Sequence, residues 1–94
     1  MSCGKQLKPI IGKGQGRSIK RAIKRAFRDA REQGWSECKG SSCSGSGEKC
    51  GYVVTDMEVL AVNPFEAGSG SQGWRAEVQT DGGCACIPWH VFGM

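Results

Sequence analysis

The stretch Ser18 to Gln33, SIKRAIKRAFRDAREQ, limits what this chain can fold into more than any other. Ile19, Ala22, Ile23, Ala26, Phe27 and Ala30 recur at three- and four-residue spacing. At 3.6 residues per turn they line one stripe of a helix. Arg17, Lys20, Arg21, Lys24, Arg25, Arg28 and Arg31 fall on the opposite side. The rest of the chain must therefore cover an apolar stripe and leave a basic face outward. Ser18 is a sound N-cap, but the third helical position is Arg21 rather than Glu, so no capping box closes. Gly34 is the expected C′ residue, with Trp35 opening a short extended segment.

What can cover that stripe is a sheet. Tyr52 to Val62 alternates, with Val53, Thr55, Met57, Val59 and Ala61 on one face and Asp56 and Glu58 on the other. Asn63-Pro64 is expected to end that strand, and residues 66–73 to form a flexible turn. Trp74 to Thr80 alternates again, placing Trp74, Ala76, Val78 and Thr80 inward and Arg75, Glu77 and Gln79 outward. Asp81-Gly82-Gly83 is a tight-turn signal, followed by a short strand from Cys84 to Ile87 that Pro88 stops. Lys5 to Ile11 can add an edge strand, since Pro9 lacks a backbone donor. The expectation is an α+β fold in (β)αβββ order: one amphipathic helix packed on a small antiparallel sheet. With 94 residues, the chain (1–94) makes a single small domain. Its apolar tail, residues 87–94, is expected to pack on the core or to join a subunit contact.

Charge is distributed unevenly. The net charge is +4, but residues 1–36 carry ten Lys/Arg against two acids, and residues 37–94 carry three against seven. Cations in the first helical turn oppose the macrodipole by a few tenths of a kcal/mol each. A helix selected for stability alone would place acids there. The basic face therefore reads as a contact surface for a polyanion, nucleic acid first, through Lys20, Arg21, Lys24, Arg25 and Arg28. The alternative is a plain solvated face. Gly12, Gly14 and Gly16 run straight into the helix, and two readings apply to residues 12–17. One is a flexible linker; the other is a loop whose N–H groups converge on an anion. Aromatic content is only 7% and no RNA- or DNA-binding motif is present.

Six cysteines, Cys3, Cys38, Cys43, Cys50, Cys84 and Cys86, permit three chemistries. Cys38, Cys43 and Cys50 from the Ser/Gly-rich loop 38–51, with Cys84, can make a structural zinc site. All six can be free thiols. Or they can form disulfides, which need an oxidising compartment. The start of the chain lacks the apolar core of a secretory signal, and no apolar run spans a membrane, so a cytoplasmic location without membrane contact is expected. Catalysis is disfavoured. His90 is the single histidine, and no third group is identifiable to orient it beside Cys84 or Cys86.

Gly12 to Trp35 resembles the corresponding part of the dodecins, small flavin-binding proteins. The residues that carry the likeness are the glycine that ends a lead-in strand, Ser18 opening the helix, and Ala22, Ala26 and Ala30 every fourth residue. Trp35 follows at the head of the next strand. The resemblance implies a βαββ order, assembly into a homo-oligomer and a flavin stacked on Trp35. It covers about a quarter of the chain. The cysteine set, the loop after Trp35 and the basic helix depart from it. A third alternative is a protein-interaction domain using the sheet edge or the tail.

Overall fold

The computed structural model describes residues 3–43, 45, 47–66 and 72–88. Four elements follow in order: β1 (Ile10–Gly16), α1 (Ile19–Cys38), β2 (Glu48–Glu66) and β3 (Gln72–Pro88). The strands form one antiparallel sheet in the order β1-β3-β2. The α+β class and the helix on an antiparallel sheet are as the sequence implies, but two strands follow the helix instead of three. Asp81-Gly82-Gly83 does not turn, because β3 is the central strand and is held on both sides. Val54 lies opposite Gly82 on β2. From the other side Leu7 N–H donates to Gly82 O, and Gln6 bridges to Gly83. Pro64 does not end β2 either: the strand runs on to Glu66. As an edge strand, β2 tolerates a residue without a donor.

The glycine run is neither a linker nor a loop. It is β1 itself, and its two-residue period matches the four-residue alanine period of the helix. A Cβ on Gly12 would overlap Ala26 O and press on Ala30, one on Gly14 would overlap Ala26 N, and one on Gly16 would sit 2.8 Å from Arg21 Cβ. Glycines facing alanines let helix and strand backbones approach without side chains between them. Ala22, Ala26, Ala30, Ala76 and Val78 form the resulting core, all buried. The backbone groups of the odd residues of β1 point away from β3, and helix side chains one turn apart bond one group on each. Arg25 Nη1 donates to Gln15 O (2.8 Å), Lys13 N–H donates to Asp29 Oδ2 (2.9 Å) and Gln33 Nε2 donates to Ile11 O (2.9 Å). By alternation the Gly12, Gly14 and Gly16 amides face β3. Their donors belong to the sheet, and the anion-binding loop expected there is not formed.

The helix also outruns its expected end. Gly34 lies inside α1, buried, with the Tyr52 ring where a Cβ would stand. Its role is close approach rather than termination. The helix stops at Cys38, and the residue with left-handed backbone is Gly40 (φ 89°), one position after the Lys39 C-cap. Ser18 caps the N-terminus as expected, accepting from Arg21 N–H at 3.2 Å.

On β2, register shifts at Val54/Asp56 and Val59/Ala61 break the simple alternation. Val54, Met57, Val59 and Val62 oppose Gly82, Thr80, Val78 and Ala76, and so share the helix side of the sheet. Val53 and Ala61, expected on that same face, oppose Gly83 and Glu77 on the other. The inward set of β3 is as expected, with Ala76, Val78 and Thr80 buried. The Thr80 hydroxyl shares a buried 2.8 Å hydrogen bond with Tyr52 Oη.

Candidate polyanion-binding face

The geometry of α1 follows from its narrow seam. Only Ala22, Ala26, Ala30, Gly34 and Cys38 are buried on it. One small side chain per turn therefore meets the sheet, and most of the helix circumference remains outside. Lys20, Arg21, Lys24, Arg25 and Arg28 are all exposed, as are Arg17 and Arg31. The first turn holds no acidic residue. None of these seven cations has an acidic partner among the described residues; the salt bridge found there joins Lys13 to Glu77 at 3.8 Å. Arg21, Lys24, Arg25, Arg28 and Arg31, with Phe27, line a shallow cleft of about 460 Å³. The Arg31 guanidinium lies 5.8 Å from the Phe27 ring centroid. At 1.5 Å per residue, Lys20, Lys24 and Arg28 repeat about every 6 Å along the axis.

Trp35 stands at the far end of this strip. It belongs to the last turn of α1 and does not head a strand. Its ring packs over the backbone of Gly51, and its remaining surface borders a cleft with Arg28, Arg31 and Glu32.

The cysteines pair. Cys3 is bonded to Cys50, Cys38 to Cys84 and Cys43 to Cys86. This replaces the expected zinc set of Cys38, Cys43, Cys50 and Cys84, since a disulfide sulfur carries no thiolate charge for a metal. The sulfur of Cys43 also lies in a different group, with Cys3 and Cys86, from that of the other three. The register brings sulfurs together without dictating the pairing: Cys50 and Cys86 are ladder partners, yet each bonds a cysteine from outside the β2–β3 ladder. His90 and the tail beyond Pro88 lie outside the described residues.

A feature not foreseen in the sequence is an apolar flank. The helix covers β1 and β3 more than β2, so the helix side of β2 stays open. Met57, Val59 and Leu60 are 42%, 41% and 44% exposed, and Ile19 on the helix is 43% exposed. Ile23, Phe27, Val54 and Met57 line a groove of about 380 Å³, with Lys24 on its helix rim and Asp56 on its strand rim.

No family model matches the chain, and no curated protein or solved structure is detectably similar to it. No helix among the described residues is long and apolar enough to cross a membrane.

Proposed function

We propose that this domain binds nucleic acid through the outward face of α1, without catalysing a reaction. The observation that carries the reading is the row of exposed helix cations with no acidic partner among the described residues. Lys20, Arg21, Lys24, Arg25 and Arg28 contact backbone phosphates, and Trp35 offers a stacking surface at the end of the strip. Three disulfides persist where the surroundings are oxidising. That supports such a compartment over the cytosol expected from the sequence. Binding of a single-stranded oligonucleotide should weaken with salt, at a slope of about −0.7 per phosphate contacted. Lys20→Glu, Lys24→Glu and Arg28→Glu together should abolish it. Absence of binding at low salt, or binding untouched by the triple reversal, sinks the reading.

The apolar flank favours a second reading, a homo-oligomer of the plan that the dodecin resemblance implies. Its rim is basic on the helix side (Lys24) and acidic on the strand side (Asp56), so a second copy can meet it with opposite charge. The βαββ order supports this reading. So does the place of β2 as an outer strand of the sheet, since helix side chains cover the β1 edge. Trp35 is then the flavin-stacking residue. A monomer mass in solution, with no flavin taken up, removes this alternative.

A further inference from the structure

All six sulfurs gather at one end of the molecule, where the last turn of α1 meets the ends of β2 and β3. They form two groups, and within each the sulfurs lie within 4.8 Å of one another. The inner group is Cys38, Cys50 and Cys84, all buried. The outer group is Cys3, Cys43 and Cys86, with Cys3 and Cys43 half-buried and Cys86 exposed. Each group contains one complete disulfide, Cys38–Cys84 within and Cys43–Cys86 without. The third disulfide, Cys3–Cys50, has one sulfur in each group. It touches both neighbours and joins them.

We propose that Cys43–Cys86 is a reaction site for dithiols, and that Cys3–Cys50 relays its opening to the buried disulfide. Thiol–disulfide exchange needs a thiolate within reach of a disulfide sulfur with an open approach along the S–S axis, and no other catalytic group. A dithiol attacks the exposed Cys86 sulfur and releases Cys43 as a thiolate. The second thiol of the reagent then frees Cys86 and leaves as its own disulfide, so two electrons have passed to the protein. The Cys43 thiolate next attacks Cys3, forming Cys3–Cys43 and expelling Cys50 as a thiolate. Cys50 attacks Cys38, forming Cys38–Cys50 and expelling Cys84. Two disulfides and two thiols are present at every stage after the first, so the inner steps need no further reductant. Cys86 reacts as readily as Cys43 in the second step, since both lie beside Cys3. A thiolate among Cys38, Tyr52 and Leu7 is poorly solvated. The inward steps are therefore slower than the outer one.

The test is disulfide mapping of the intact chain, followed by one equivalent of dithiothreitol, acid quench, alkylation and peptide mapping. The expected result is label on Cys43 and Cys86 first and on Cys50 and then Cys84 later, with a Cys3–Cys43 or Cys3–Cys86 linked peptide that the untreated protein lacks. Label confined to Cys43 and Cys86 overturns the proposal, as does a native pairing other than the three above. A Cys3→Ala/Cys50→Ala variant removes the relay and should lose labelling of Cys84. If Cys84 is labelled in the variant as fast as in the parent, the reagent reaches the buried disulfide directly and the relay is refuted. Should that variant fail to fold, the linked peptide in the parent chain decides alone.

Discussion

At the scale of single residues, the packing of α1 on β1 depends on hydrogen atoms where other residues carry carbon. Gly14 faces the backbone of Ala26 so closely that no Cβ fits. Gly14→Ala should therefore push strand from helix and cost about 1–3 kcal/mol, read by urea denaturation. Gly40 has open space around its Cβ position but a φ of 89°. Its substitution costs backbone strain alone, of about 1 kcal/mol. Tyr52→Phe removes the hydroxyl that pairs with Thr80 and leaves a buried polar atom alone, for a loss of about 1–3 kcal/mol. The sequence displayed both glycine and alanine periods, but it did not show that they face each other. That meeting depends on where β1 lies, and a period-two run of glycines reads equally well as a linker.

At the scale of elements, α1 serves three surfaces at once. Its seam packs on the sheet, its Arg25, Asp29 and Gln33 side chains close the β1 edge, and its basic face is outward. Charge reversal separates binding from folding. Lys20→Glu places an acid in the first turn and should hold or raise stability by a few tenths of a kcal/mol while weakening oligonucleotide binding. A thermal melt beside a binding titration checks both. The apolar stripe of the helix was legible, but only its small residues are in the seam. Ile19, Ile23 and Phe27 turn to the flank because the glycine face of β1 draws the helix toward itself and away from β2. On that flank, Met57→Lys with Val59→Lys should change monomer stability by no more than about 0.5 kcal/mol, since both side chains are exposed. It should abolish self-association in sedimentation if a second copy docks there.

At the scale of the whole molecule, the chain is an elongated body of 53 × 26 × 18 Å, tied at one end and packed at the other. The alanine core spans the first turns of the helix, and the disulfides fasten its last turn, the N-terminal segment and the loop to the sheet. The three bonds close sequence separations of 47, 46 and 43 residues. Chain-entropy arguments give each such bond about 2–4 kcal/mol, less where the loops overlap. Full reduction should lower the melting temperature sharply and loosen the Cys-bearing end before the alanine core. Hydrogen exchange with and without reductant should show protection lost first at residues 48–52 and 84–87.

The sequence by itself determined the helix, its two faces, the inward set of β3 and the α+β class, because these are written in local periodicity and composition. It also showed that the cations concentrate on the outward face of that helix. The tertiary structure alone decided that the glycines are a strand, that Asp81-Gly82-Gly83 runs straight, that β2 keeps an open apolar flank and that the cysteines pair as they do. Each of those depends on a neighbour distant in the chain: β3 lies between β1 and β2, and partners separated by forty or more residues bring the sulfurs together. Local pattern carries no register, and register sets which backbone groups are already paired and which sulfurs meet.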